Sequence, residues 1–314
     1  MDTNIQHKNY RIKDFIINFI ITPLVTLPIF IVLHKIIPDF DVQFNLDRIL
    51  LFILLLTGFE ILFNLFNKVA YAALILMVSI IIFGTIRGKY GAVDVFFAYR
   101  NMFINILEKP NKEEFNLISI LPNPLKKDVI KAINYDNDTV RNFAVQTAGK
   151  FFSEYKTRGY YSNYRTIIQS FSIFKEINNN WNYVHDPKSR EYFARASETI
   201  NNHKGDPNNY FSGDCDDHAI LMVACITAIG GSARLVWTEG HMYPELCIGD
   251  ESDIEDIVYL IRYELFVKEI NAIEDKQIYY HIEADNKIWL NLDYTEHFPG
   301  GKFHNEVTID VYEP

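Results

Sequence analysis

The sequence predicts an α+β protein preceded by transmembrane helices, and three observations carry that expectation. Long uncharged apolar runs crowd the residues before about 87. Apolar residues then recur at spacings of three and four, the signature of amphipathic helices. Beyond residue 232 the texture changes to short runs rich in β-branched and aromatic residues. Helices followed by a run of strands predict an α+β arrangement with an antiparallel sheet.

Three N-terminal runs have near-spanning length: 15–33 (FIINFIITPLVTLPIFIVL), 49–66 (ILLFILLLTGFEILFNLF) and 69–86 (VAYAALILMVSIIIFGTI). Roughly 20 apolar residues span a bilayer as a helix. A cleaved signal peptide fits poorly, because the first run is long, contains Pro23 and Pro28, and is followed by two more. Lys8, Arg11 and Lys13 before the first run favour a cytoplasmic N-terminus, and Arg87, Lys89 and Arg100 pull the following domain to the same side. Three full crossings would separate the two flanks; only Asn67 and Lys68 part the second and third runs, so these make a tight hairpin or one of the three runs does not cross fully. Glu60 is the one charge inside the runs; it is expected near the hairpin end, bonded to Asn64 or Asn67, and is otherwise an intramembrane functional group.

The remainder divides into a helical connector over 88–155 and a catalytic domain over 156–314. LKKDVIKAI and DTVRNFAVQTAGKFF read as helices after the breakers Pro122 and Pro124. NYRTIIQSFSIFKEI (163–177) reads as another, with a turn at Asp186-Pro187. A helix is expected from Cys215, ended by Gly230 and Gly231, with Asp214 as N-cap and Asp217 completing a capping box. Strands follow at 233–238, 242–248, 277–284 and 287–293. The intervening DESDIEDIVYLIRYELFVKEINAIEDK begins acidic and turns helical, which reads as a surface insertion.

A net charge of −10 argues against nucleic acid as a partner. The three cysteines, Cys215, Cys225 and Cys247, form neither a disulfide framework nor a paired zinc pattern. One reactive cysteine and two core cysteines is the simpler account. Cys215 in a first helical turn has unpaired N–H groups and the positive end of the helix dipole beside it, both favouring thiolate, while the neighbouring aspartates oppose it. A thiolate needs a base and the base an orienter. His241 opens one strand and Asp293 closes another, so two strand ends can bring them to the helix start.

These residues resemble the transglutaminase-like cysteine superfamily, whose core is related to papain. Its bacterial members carry a G-D-C-x-D box at a helix start, an H-x-[aromatic]-x-E strand and a W-x-x-x-D strand end. Here they read Gly213-Asp214-Cys215-Asp216-Asp217, His241-Met242-Tyr243-Pro244-Glu245 and Trp289-Leu290-Asn291-Leu292-Asp293. The likeness covers roughly 160–300. It implies Cys215 as nucleophile, His241 as general base and acid, Asp293 as orienter, a peptide or protein substrate and no cofactor. Pro244 and the 250–276 segment depart from the expected pattern.

Simpler readings stand beside these. His218, one turn after Cys215, is a rival base, but a partner on the same helix is hard to aim at the sulfur. A metal set of Asp214, Asp216, Asp217 and His218 is not expected to converge, because consecutive helical residues diverge. Trp181 and Tyr183 are cleft or core, Arg234 is a satisfied strand charge or else pairs with an acid near the site, and His297 and His304 lie in an exposed loop.

Overall fold

The computed structural model describes residues 17–37, 46–87, 91–107, 111–113, 125–157, 159–186, 192–283, 285–303 and 308–314. Lys8, Arg11, Lys13, Lys89, Pro122, Pro124, Pro187 and His304 lie outside them. The chain forms two compact units, Met1–Glu108 and Lys109–Pro314.

The first unit is helical: a π-helical turn Ile17–Ile21, then α1 (Thr22–Ile36), α2 (Leu46–Leu65), α3 (Asn67–Ile86) and α4 (Ala92–Leu107). Pro23 sits in the first turn of α1, directly after the π-helical turn. Only small apolar sets are buried, Ile21, Val25, Phe63 and Ala70 in one and Phe30, Ile31, Ala98 and Met102 in the other. Leu50, Ile53, Leu54, Leu65, Ile75, Leu76, Ile80 and Ile86 are exposed. Among the described residues one helix, Lys68–Ile86, is long and apolar enough to cross a membrane, with a mean hydropathy of 2.5. The first apolar run forms the shorter helix Phe19–His34. Helix α2 carries Asp47 and Arg48 in its first turn, and Arg48 donates to the Ile37 carbonyl at 2.8 Å. Glu60 is half-buried, and no hydrogen bond joins it to Asn64.

The second unit is α+β. Its elements are β1 (Asn111–Glu113), α5 (Lys126–Ile133), α6 (Asp138–Thr147), α7 (Arg165–Asn179), β2 (Trp181–Tyr183), α8 (Ala196–Gly205), β3 (Phe211–Gly213), α9 (Cys215–Ala228), β4 (Ala233–Thr238), β5 (Met242–Asp250), α10 (Ile254–Tyr259), α11 (Val267–Asn271), β6 (Tyr279–Ile282), β7 (Lys287–Asn291) and β8 (Thr308–Tyr312). Six strands form one sheet in the order β1-β6-β7-β5-β4-β8, antiparallel except where β1 runs parallel to β6. Strands β2 and β3 make a separate parallel pair.

Helix α9 is the centre of this unit. Every residue from His218 to Ile226 is fully buried, which is what a helix apolar on all sides requires. It packs on β4 and β5 and, on its other sides, on α5, α6, α7 and α8. Two expectations are therefore corrected. The 88–155 stretch is not one connector: Ala98 and Met102 of α4 are buried with the first unit, whereas Val129, Ile133, Val140 and Ala144 join the core around α9. The 250–276 stretch is not a surface insertion either. Ile257, Val258, Leu260, Ile261 and Phe266 are fully buried, because the hydrophobic residues after its acidic start face the core. Asp253 and Asp256 share the Tyr164 hydroxyl, at 3.1 and 2.9 Å, and Lys175 holds Glu269.

Pro244 lies in the central strand β5, where its ring nitrogen cannot return the ladder bond made by its own carbonyl. Its carbonyl accepts from Leu292 N at 2.9 Å, just past the end of β7, so the proline nitrogen falls where pairing stops.

Candidate active site

Cys215 is the first residue of α9 and is half-buried. Asp214 ahead of it is extended (φ −98°, ψ −157°), and its side chain makes no capping bond. The expected capping box is thus half formed. The Asp217 carboxylate faces back to the Asp214 N–H and accepts from Ala194 N at 2.8 Å. Gly213 leaves room for this carboxylate, since a Cβ there would stand 2.4 Å from Asp217 Oδ2.

His241 follows Gly240, whose φ of +93° turns the chain into β5. Thr238 fixes the histidine backbone by donating to its carbonyl from both N (2.8 Å) and Oγ1 (2.9 Å). The imidazole reaches Asp293 through Nε2, 2.7 Å from Oδ2. The Cys215 side chain is within hydrogen-bonding reach of the same imidazole. Burial opposes a charged imidazole here, but the bonds to Asp293 and Cys215 outweigh it, and the pKa is pushed up to about 10. Asp293 is buried and well held. Its Oδ1 accepts from Tyr294 N at 2.7 Å, its Oδ2 from Thr295 Oγ1 at 3.2 Å, and its own N–H donates to Asn291 at 2.9 Å. The structure thus brings Cys215, His241 and Asp293 together in series.

His218 does not join them as a base. It is fully buried, its Nε2 is 2.8 Å from Asn178 Oδ1, and burial, only partly offset by Asp293, depresses its pKa to about 4. Trp181 packs against its ring, with centroids 4.9 Å apart. Tyr183 is more exposed and shares a hydrogen bond with Tyr294; burial first, then its neighbours Cys215 and Asp214, push the Tyr183 hydroxyl up.

The acidic set departs from expectation. Oxygens of Asp214, Asp216 and Asp217 lie within 4.8 Å of one another, because Asp214 precedes the helix and its side chain is free to turn back. These three are the one group among the described residues that could hold a metal ion. Asp216 is buried and held well above the usual carboxylate range, by burial first and then by the neighbouring Asp214. Burial likewise lifts Asp217 to about 7 against the Ala194 bond.

Arg234 is a paired strand charge, as expected. It lies buried on Glu245 (2.6 Å) and Glu283, over the Trp289 ring, and His281 closes the other side of Glu245 at 2.6 Å. Cys225 is fully buried and Cys247 half-buried; burial pushes both thiols up. His297 is exposed. Sequence reasoning missed Asn178 and Tyr294. Asn178 sits in the run NNN at a helix end, which reads as a turn signal, whereas Tyr294 at least adjoins Asp293.

No protein-family model, curated protein or solved structure matches the chain.

Proposed function

We propose that this chain is a membrane-anchored, transglutaminase-like cysteine enzyme that opens an amide bond of a peptide or protein through Cys215, His241 and Asp293. The observation that carries the reading is the series itself: Asp293 is 2.7 Å from the imidazole Nε2, and Cys215 is within hydrogen-bonding reach of the same ring. An imidazole pushed up to about 10 is the charged form that pairs with a thiolate.

The thiolate attacks the amide carbonyl carbon, forming a C–S bond and an oxyanion. First-turn N–H groups have no partner within the helix, so the Cys215 N–H can donate to that oxyanion. His241 then gives its proton to the departing amine as the C–N bond breaks, leaving a thioester and a neutral imidazole. The imidazole next takes a proton from the acceptor, whose oxygen or nitrogen displaces the sulfur. Water needs no binding site of its own, so hydrolysis is favoured over amine transfer. The apolar runs of the first unit are the anchor in this reading, with Lys68–Ile86 its best-supported span.

The test is the alkylation rate of Cys215 against pH in the full chain, compared with His241→Ala. Fast labelling well below the free-thiol pKa of ~8.5, lost without His241, is expected. Ordinary thiol profiles in both proteins would overturn the reading. A biological activity that survives Cys215→Ala would instead mark a peptide-binding module.

A further inference from the structure

Resting on the proposed Cys215–His241–Asp293 site, we infer that Asn178 and His218 are positioning residues, a neutral relay that locks the segment bearing Asp293 to the helix bearing Cys215. His218 stands one turn along α9 from Cys215, and its Nε2 lies 2.8 Å from Asn178 Oδ1. Asn178, near the end of α7, sends Nδ2 onward to the main-chain carbonyls of Glu296 (3.2 Å) and Asp293 (3.5 Å). Three elements far apart in sequence are joined through two buried side chains.

The chemistry fixes the direction of each bond. Both carbonyls are acceptors, so the Asn178 amide must present its NH2 to them and its oxygen to His218. His218 is therefore the tautomer with hydrogen on Nε2. Its Nδ1 is buried without a hydrogen-bond partner among the described residues. Burial holds this imidazole neutral, so the relay adds no charge beside His241. The His218 ring is also boxed edge-on by Trp181 and by Tyr294, the residue after Asp293, at centroid distances of 4.9 and 5.3 Å. Asn291 pins the far side of the same segment, donating to the carbonyls of Gly301 (3.1 Å) and Lys302 (3.3 Å). With the segment held at both ends, Asp293 is fixed where His241 Nε2 needs it.

This is more than fold stabilisation, because a carboxylate displaced by an ångström leaves the imidazole misaimed. Misplacement on that scale costs about 10- to 100-fold in rate. The titratable groups around Cys215 and His241 include Asp214 and Asp216 from the helix start, Tyr183 from β2, Tyr243 from β5, His218, and Asp293 and Tyr294.

The test labels Cys215 with iodoacetamide in the full chain in detergent micelles, followed peptide by peptide across pH 5–9 and paired with thermal melts. Asn178→Ala and His218→Phe are expected to slow labelling at pH 6 by about 10- to 100-fold and to move the profile towards ~8.5. His218→Gln, whose amide N–H can replace Nε2–H, is expected to restore most of the rate. Should Asn178→Ala not fold, Asn178→Asp keeps the acceptor for His218, loses the donor to the carbonyls, and is expected to behave like the alanine variant. Wild-type profiles in these variants, with reactivity still lost in His241→Ala, would overturn the relay and leave the catalytic series standing. Equal loss in His218→Phe and His218→Gln, tracking a lowered melting temperature, would reduce the pair to a structural role. If the wild type itself has no His241-dependent reactivity, the site falls and the relay with it.

Discussion

At the scale of the residue, the imidazole of His241 links chemistry to stability. Its pKa in the folded chain is about 10, against about 6.5 for an unperturbed histidine, so the folded state holds the proton more tightly. The stabilisation is fully present below pH 6.5 and is lost as pH rises towards 10. At about 1.4 kcal/mol per unit, its ceiling is a few kcal/mol. The melting-temperature gap between wild type and His241→Ala is expected to be widest near pH 6 and to close by pH 10; a gap independent of pH would refute the assignment. Cys215, His241 and Asp293 were legible in the sequence because each stands in a short box with a structural reason to be there, a helix start or a strand end. Asn178 was not, since nothing local distinguishes a relay asparagine from a cap. Its partners lie 40, 115 and 118 residues away, and only the packing of α7 against α9 brings them together. The acidic set was misread for the opposite reason. Helical divergence was applied to Asp214, which is not yet in the helix.

At the scale of the element, the start of α9 decides whether the site exists. The Asp217 carboxylate fills the space beside Gly213, with Oδ2, Cβ and Cγ at 2.4, 2.5 and 2.9 Å from where a Cβ would stand. The obstruction includes the near part of a buried side chain, so it cannot swing clear cheaply. Gly213→Ala is expected to destabilise by about 1–3 kcal/mol in denaturant titration and to slow Cys215 alkylation as the helix start shifts. An unchanged midpoint would show that the turn has slack. Strands β4, β5, β6 and β7 could be read from β-branched and aromatic runs, and α9 from its cap signals and terminal glycines. The three-residue strands β1, β2 and β3 carry no periodicity of their own and exist through pairing. The 250–276 stretch was misplaced because DESDIED reads as solvated, although Tyr164 receives two of those carboxylates.

At the scale of the whole molecule, the two units bury their apolar residues in opposite ways. The second encloses its hydrophobic side chains in a large core around α9 and a smaller set of Val236, Tyr243, Tyr279 and Phe303, whereas the first leaves large aliphatic side chains exposed along α2 and α3. Exposed apolar surface on that scale calls for lipid or a partner. The full chain is expected to stay in the membrane fraction through an alkaline carbonate wash; release into the supernatant would remove the anchor from the proposed function. The enclosure of α9 has a further consequence in time. Amides of a helix wrapped on every side exchange with solvent only when the whole domain opens. The nucleophile is thus carried by a helix that cannot move without unfolding the domain, and any motion that admits a substrate belongs to the surface around that helix.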